Sequence, residues 1–399
     1  MKAQEPLSPY NKPMTRDGKP ITVKLREITL RQIGHMEVEF SMPEKVYFFK
    51  RLAQAGVAEA IVWGSDEDAE ELVRRTADAG IPLGVGYYGK TFFPEEATRT
   101  IEKAKKAGAA FTCFNGRGSA MALEESGWTK DRMIDTSIDI IKQSKDAGVP
   151  ISIGLYGFTQ TTPDFIQEFA GRVSEAGADR IYCPDSLGVA SPEAMREIIG
   201  HIRSVSDLPI EAHCHNDTGM GLANTVACVE AGADYVECVV NGMDPERCGI
   251  ASLDEVAVAL EKLYGVDTGV VLTELMDLAR THERMTGLPL AANKPIVGPR
   301  AFNYRVATGS GDAEARKDNF YGSARVVPFN PADVGNARRF MLGKYSGPNE
   351  VTRALTDAGL SVPQGAALSE LVTLVRGLGE RKRSTVTPEE LAGLLAVVS

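Results

Sequence analysis

Six times before residue 234 this chain repeats an Ala-Gly pair followed by a small or branched residue: Ala55-Gly56-Val57, Ala79-Gly80-Ile81, Ala107-Gly108-Ala109, Ala147-Gly148-Val149, Ala176-Gly177-Ala178 and Ala231-Gly232-Ala233. Each copy closes an amphipathic stretch, such as Lys45–Ala55 or Thr98–Ala107, and opens a short apolar run. Glycine supplies the left-handed residue that ends a helix, and the chain then enters a strand. The apolar runs are Thr22–Leu30, Glu59–Gly64, Pro82–Gly86, Ala110–Phe114, Pro150–Leu155, Arg180–Cys183, Pro209–His213 and Tyr235–Val240. Eight βα units predict an α/β fold of the (β/α)8 TIM-barrel type rather than an open doubly wound sheet. No GxGxxG follows the first strand, as a dinucleotide-binding sheet would require.

In such a barrel the chemistry gathers at the C-terminal ends of the strands. Those ends carry Arg31-Gln32, Trp63, Tyr87-Tyr88, Asn115, Tyr156, Asp185-Ser186, the run from His213 to Asp217, and Asn241. The expected organisation is an N-terminal arm (1–21), the barrel (22–268) and small, mainly helical C-terminal subdomains (269–399). Within the last, Val271–Thr286 reads as helical, Gly287–Tyr304 as Pro-rich and irregular, and Ala307–Asp318 as Gly-rich and polar. Asn349–Ser399 reads as helices broken near Arg381-Lys382-Arg383. Leu-rich ends in this part suggest packing on a partner subunit, hence a homodimer.

A net charge of −10 leaves no basic surplus to neutralise phosphates, which argues against a nucleic-acid or anionic-membrane partner. No run approaches the roughly 18 apolar residues of a membrane span, and Met1–Pro20 lacks a signal-type apolar stretch. Six cysteines without a CxxC pair read as reduced thiols in a cytoplasmic protein.

The strongest local signal is Glu211-Ala-His-Cys-His-Asn-Asp217. Residues two apart on a strand point the same way, so His213 and His215 face the barrel mouth while Cys214 points into the packing layer. Two imidazoles at this spacing can hold one divalent ion; the alternative is a pair of hydrogen-bonded structural histidines. The residue types fit Zn, Mn, Co or Mg.

The segment His213-Cys-His-Asn-Asp-Thr-Gly-Met-Gly-Leu-Ala-Asn224, with Glu230-Ala-Gly-Ala-Asp234 and Asn241-Gly242, resembles the seventh and eighth strands of the metal-dependent condensing enzymes. That family includes homocitrate, isopropylmalate and citramalate synthases, with hydroxymethylglutaryl-CoA lyase as a relative. Thr29-Leu-Arg31, Pro184-Asp-Ser-Leu-Gly188, Glu246-Arg-Cys-Gly-Ile250, Asn293-Lys-Pro-Ile-Val-Gly298 and Leu342-Gly-Lys-Tyr-Ser-Gly347 are similar as well. The resemblance spans roughly residues 22–350. It implies condensation of an acyl-CoA, of the acetyl-CoA type, with a 2-oxo acid chelated by the metal. Arg31 would stabilise the oxyanion, Asp185 and Ser186 would orient substrate, and Asn241 would touch the metal or the substrate. For Asp185-Ser186 a plain strand-end turn is the alternative.

The chain also departs from that family. Gln32 stands where a metal-binding Asp or Glu is expected, and an amide oxygen brings no charge. The second strand reads Ala60-Ile-Val-Trp63 in place of a catalytic Glu, the fifth reads Ile153-Gly-Leu-Tyr-Gly-Phe158, and Val306–Asp312 has no histidine. Each missing acid–base group is worth about 10²–10⁴-fold, so a specialised biosynthetic role is expected. Tyr156 is the expected catalytic replacement, with Tyr87, Tyr88, Asp217 and His35 as other candidates. A CoA-independent lyase or aldolase is one alternative, and a catalytically weakened binding homologue a second.

Overall fold

The computed structural model describes residues 7–32, 38–91, 93–243, 246–304, 328–337 and 339–398, without the side chains of residues 32, 303, 304, 339 and 340. It divides into two compact units, Met1–Pro289 and Leu290–Ser399.

In the first unit eight parallel strands close a barrel in chain order: β1 (Lys24–Glu27), β2 (Glu59–Trp63), β3 (Gly84–Lys90), β4 (Phe111–Arg117), β5 (Ile151–Tyr156), β6 (Arg180–Asp185), β7 (Ile210–Cys214) and β8 (Tyr235–Cys238). Closure is made by β8 against β1, with Glu237 opposite Arg26. The outer helices are α1 (Met42–Gln54), α2 (Ala69–Asp78), α3 (Pro94–Ala107), α4 (Lys130–Ala147), α5 (Pro163–Glu175), α6 (Pro192–Arg203), α7 (Gly221–Ala231), α8 (Leu253–Tyr264) and α9 (Leu275–Thr286). The first twenty residues contribute a two-stranded hairpin, Thr15–Arg16 with Lys19–Pro20.

α3 shows why these segments are helical. Proline occupies its first position, Glu95 and Glu96 sit in the first turn, Lys105 and Lys106 in the last, and left-handed Gly108 (φ 70°) ends it. Ala97, Ile101 and Ala104, spaced three and four apart, are the buried face. Inside the barrel, small and large inward residues interdigitate. A side chain at Gly86 would meet the Phe111 ring at 2.2 Å, and one at Gly154 would meet the Tyr182 carbonyl at 1.9 Å. Glycine at these points makes room for aromatic filling from the neighbouring strand.

α9 lies within the barrel unit, beyond the expected limit at residue 268. Arg51 Nη2 of α1 reaches Glu274 at 3.0 Å, and Asn241 Nδ2 donates to the Ala279 carbonyl at 3.1 Å. The second unit carries α10 (Pro348–Asp357), α11 (Gly365–Lys382) and α12 (Pro388–Val398), around a core of Val351, Leu355, Leu371, Val375 and Leu391. α11 ends where the charged run was expected to break the helix, with Arg383 left-handed at φ 54°. Ala307–Asp318 and the Val306–Asp312 stretch lie outside the described residues.

Candidate active site

His213 and His215 line a cavity of about 790 Å³ at the C-terminal ends of the strands. They are 3% and 2% exposed, with ring centroids 4.9 Å apart. Cys214 between them faces Cys228 of α7, so the alternation inferred for this strand holds. His213 Nδ1 lies 2.8 Å from Glu237 Oε2, and the Tyr182 hydroxyl donates to the same oxygen at 3.0 Å. A carboxylate acceptor places the ring proton on Nδ1 and leaves the Nε2 lone pair available. Burial works against the Glu237 charge, but Arg31, His213 and Arg26 outweigh it and bring its pKa down to about 2.

His215 is held differently. Arg247 Nη2 donates to its Nδ1 at 3.1 Å and to the Ser186 carbonyl at 2.8 Å, while Arg247 Nε donates to Asp217 Oδ1 at 2.6 Å. Burial, then His213, Arg247 and Arg31, push the His215 pKa down to about 2, so the ring is neutral. A neutral ring is what ligation requires.

Arg31 stands on the helical turn Thr29–Gln32 that follows β1. Glu27 pins this turn: its Oε1 accepts from Thr29 N at 2.9 Å, from the Thr29 hydroxyl and from Val240 N at 3.2 Å. Burial raises the Glu27 pKa to about 7 against the pull of these bonds. Arg31 is 4% exposed, 3.6 Å from Glu237 Oε2 and 4.6 Å above the Tyr88 ring. Burial opposes its charge, yet Glu237, Tyr182 and Tyr88 keep its pKa above the usual range. Its Nε and Nη1 have no hydrogen-bond partner among the described residues.

Ser186 and Tyr156 line the cavity, with Tyr156 40% exposed at the rim. Tyr88 lines it too, whereas buried Tyr87, one residue earlier on β3, is not among the lining residues. Asp185 is not either, because strand alternation turns it outward. Its carboxylate accepts from Thr159 Oγ1 at 3.0 Å and from the Val189 and Ala190 amides at 3.2 Å. Asp185 therefore holds the loop on which Ser186 stands. Asn241 is buried with a left-handed backbone (φ 63°), and its Nδ2 donates to the Ala279 carbonyl and to His282 Nδ1 at 3.2 Å. With its donors so used, Asn241 Oδ1 is a buried acceptor without a hydrogen-bond partner among the described residues. Asp217 is tied to Arg247. The Gln32 side chain and His35 lie outside the described residues.

Among the described residues no group of three or more His, Cys, Asp or Glu is placed to hold an ion. The described donors that line the cavity are the two imidazoles, which suit a borderline divalent ion whose remaining positions a ligand fills, whereas Asn241 is not among the lining residues. The sequence does not single out Glu237, Lys90 or Arg117, and it offers Arg247 only within the Glu246–Ile250 segment. Glu237 lies two residues before Val239 on an apolar strand, so its inward direction was available from period 2. Lys90 and Arg117 were hidden because β3 and β4 run beyond the apolar stretches that announced them, to Lys90 and Arg117 themselves.

A family model described as HMGL-like matches residues 22–281. The chain is 35% identical over 253 residues to a probable 2-isopropylmalate synthase of Methanopyrus kandleri, covering 63% of this chain and 49% of the relative. It is 34% identical over 263 residues to the homocitrate synthase AksA of the same organism, covering 66% and 64%. With the 2-phosphonomethylmalate synthase of Streptomyces rubellomurinus it shares 36% over 264 residues, covering 66% and 69%. The chain thus spans about half the length of the first relative and about two thirds of the other two. Among solved structures, the HMG-CoA lyase of Bacillus subtilis matches with a TM-score of 0.60 at 16% identity, covering 70% of this chain and 96% of that one. The HMG-CoA lyase of Acinetobacter baumannii, in complex with coenzyme A and 3-methylmalate, matches at 0.56 and 19%, covering 67% and 92%. These two structures show the shared barrel fold. The match at residues 22–281 takes in all eight strands and both histidines, and the chain belongs to the HMGL-like family.

Proposed function

We propose that this chain joins an acyl-CoA of the acetyl-CoA type to a 2-oxo acid, with a divalent ion held by His213 and His215. The observation that carries the reading is Arg31. A buried guanidinium, two of whose nitrogens have no hydrogen-bond partner among the described residues, lines the same cavity as His213 and the neutral His215. His213 would bind through Nε2, His215 beside it, and the oxygens of Gln32 and Asn241 would complete the protein's share. Ligation through His215 Nε2 would need the ring proton at Nδ1, and Arg247 would keep its bonds to Asp217 and the Ser186 carbonyl. When bound there, the ion polarises the carbonyl of a chelated 2-oxo acid.

The acyl-CoA loses an α-proton, its carbanion attacks the carbonyl carbon, and the former carbonyl oxygen becomes an alkoxide that takes up a proton. Hydrolysis of the thioester then releases free thiol. Arg31 Nε and Nη1 receive the developing oxyanion; a permanently charged, forked donor suits this role. Ser186 orients the substrate, and Tyr156 at the rim is the assigned proton carrier. The relatives are named as synthases, which favours bond formation over cleavage. A homodimer formed through residues 269–399 and a cytoplasmic location complete the reading.

The test is release of free thiol from acetyl-, propionyl- and malonyl-CoA with a panel of 2-oxo acids, in the presence of Zn²⁺, Mn²⁺, Co²⁺ or Mg²⁺. Thiol release that depends on the 2-oxo acid is expected. Silence across the whole panel overturns the reading, and pyruvate or glyoxylate formed from a 2-hydroxy acid without CoA assigns a lyase instead.

A further inference from the structure

One wall of the cavity alternates cations with rings. The Arg31 guanidinium lies 4.6 Å above the Tyr88 ring, Tyr88 meets Trp63 edge-on at 4.8 Å, and Lys90 Nζ lies 5.4 Å from the Trp63 centroid. The arrangement follows from the strands. Trp63 of β2 pairs with Tyr88 of β3 in register, and Tyr88 and Lys90, two residues apart, share the inward face of β3. Arg117 closes the wall from β4; its Nη1 is 3.4 Å from the Ala122 carbonyl, and its side chain lines the cavity. Two positive centres are therefore separated by two aromatic faces. One is Arg31, which shares Glu237 with His213; beyond the rings stands Lys90, and Arg117 lines the same cavity from the next strand. The inward position of β2 between them is Ile61, a neutral residue in the hydrophobic cluster with Tyr88.

We infer that the cavity selects a dianionic 2-oxo acid. Its 2-oxo carboxylate end sits at Arg31 and the histidines, and a short carbon chain lies on Tyr88 and Trp63. A second anionic group, carboxylate or phosphonate, meets Lys90 and Arg117. The inference rests on the 2-oxo acid part of the proposed function, and not on bond formation. Methylene groups gain by covering the ring faces, while the second acid forms charge-assisted contacts with an ammonium and a forked guanidinium. Asp66, Glu96, Glu125 and Glu246 also line the cavity. The second acid competes with them, so its advantage is read as a ratio between matched ligands. The anionic group could equally be a phosphate of CoA, and the test separates the two sources.

The experiment is calorimetric titration of the full-length, Mn²⁺-loaded protein with 2-oxoglutarate and with 2-oxopentanoate, which has the same chain length and one acid fewer. Acetyl-CoA is titrated separately. The dianion is expected to bind about 10- to 100-fold more tightly, as one or two charged hydrogen bonds imply. Lys90→Gln and Arg117→Gln should each bring that ratio towards unity, and Lys90→Arg should keep it, with unchanged thermal unfolding showing that the variants are folded. Equal binding of the two acids by the unaltered protein overturns the inference. So does weaker acetyl-CoA binding in K90Q and R117Q with the acid ratio intact. Because the readout is binding, absence of thiol release alongside a preserved ratio would sink the condensation reading and leave this one standing.

Discussion

At the floor of the barrel Arg26 is fully buried and all three of its guanidinium nitrogens are hydrogen-bonded. Its Nε and Nη2 reach Glu59 at 3.1 and 2.7 Å, Nη1 and Nη2 reach Glu211 at 2.6 and 2.5 Å, and Phe111 stacks at 4.2 Å. Arg180 and Ser152 occupy the remaining lone pairs of the two carboxylates. At the mouth Arg31 is almost as buried, yet its Nε and Nη1 have no hydrogen-bond partner among the described residues, and Glu237 Oε2 stands 3.6 Å from Nη1. Both are arginines facing inward near β1, so burial alone does not separate a structural charge from a working one. The difference is saturation: the floor has nothing left to offer a ligand, and the mouth keeps donors whose desolvation only a ligand can offset.

The comparison breaks most directly at the floor. Glu211→Ala strands Arg26 in a buried site and is expected to cost about 3–5 kcal/mol of stability, measured by urea unfolding. A loss under about 1 kcal/mol would mean the floor is not the sealed network described. Arg31→Gln should do the reverse: thiol release falls by about 10²–10³-fold while the urea midpoint stays near that of the parent. Equal loss of stability in both variants would erase the distinction between floor and mouth.

A pH series tests how the mouth is held. The folded pKa of Glu27 is raised to about 7 from an ordinary 4.5. Between these values the unfolded chain has already released this proton while the folded one keeps it. Stability from this group is therefore complete below about pH 4.5, falls as pH rises to about 7, and is level beyond, by on the order of 3 kcal/mol at most. Glu27→Gln should flatten that slope in urea midpoints taken at successive pH values; an unchanged slope would assign it to other groups. The smallest effect is expected at Glu237. Replacing it by Gln keeps the shape but weakens control of the His213 tautomer, lowering metal affinity about 10–100-fold, read by competition with a chromogenic chelator. Unaltered affinity would show that His213 needs no orienting carboxylate.

Much of this molecule was legible before folding. The Ala-Gly repeats announced the helix ends, the apolar runs announced eight strands, and period 2 placed His213 and His215 on one face. These are local signals, because helix caps and strand alternation depend on neighbours a few residues apart. Asp185 follows the alternative of a strand-end turn: its parity is opposite to that of Pro184 and Ser186, which line the cavity, and its carboxylate meets the loop amides. α9 read correctly as a helix, but its place within the barrel unit follows from contacts with Arg51 and Asn241, far away in sequence.

The sequence by itself determined the barrel, the paired imidazoles and Arg31 at the mouth, since all three follow from short-range pattern. Only the tertiary structure decided the rest. Ring closure of β8 on β1 brings Glu237 to Arg26, Arg31 and His213, and the length of β3 and β4 carries Lys90 and Arg117 inward beside Trp63. Glu237 meets Arg26 and Arg31 from the opposite end of the chain, while Trp63, Lys90 and Arg117 come from neighbouring strands. No local periodicity records which partner a side chain finds once the ring has closed.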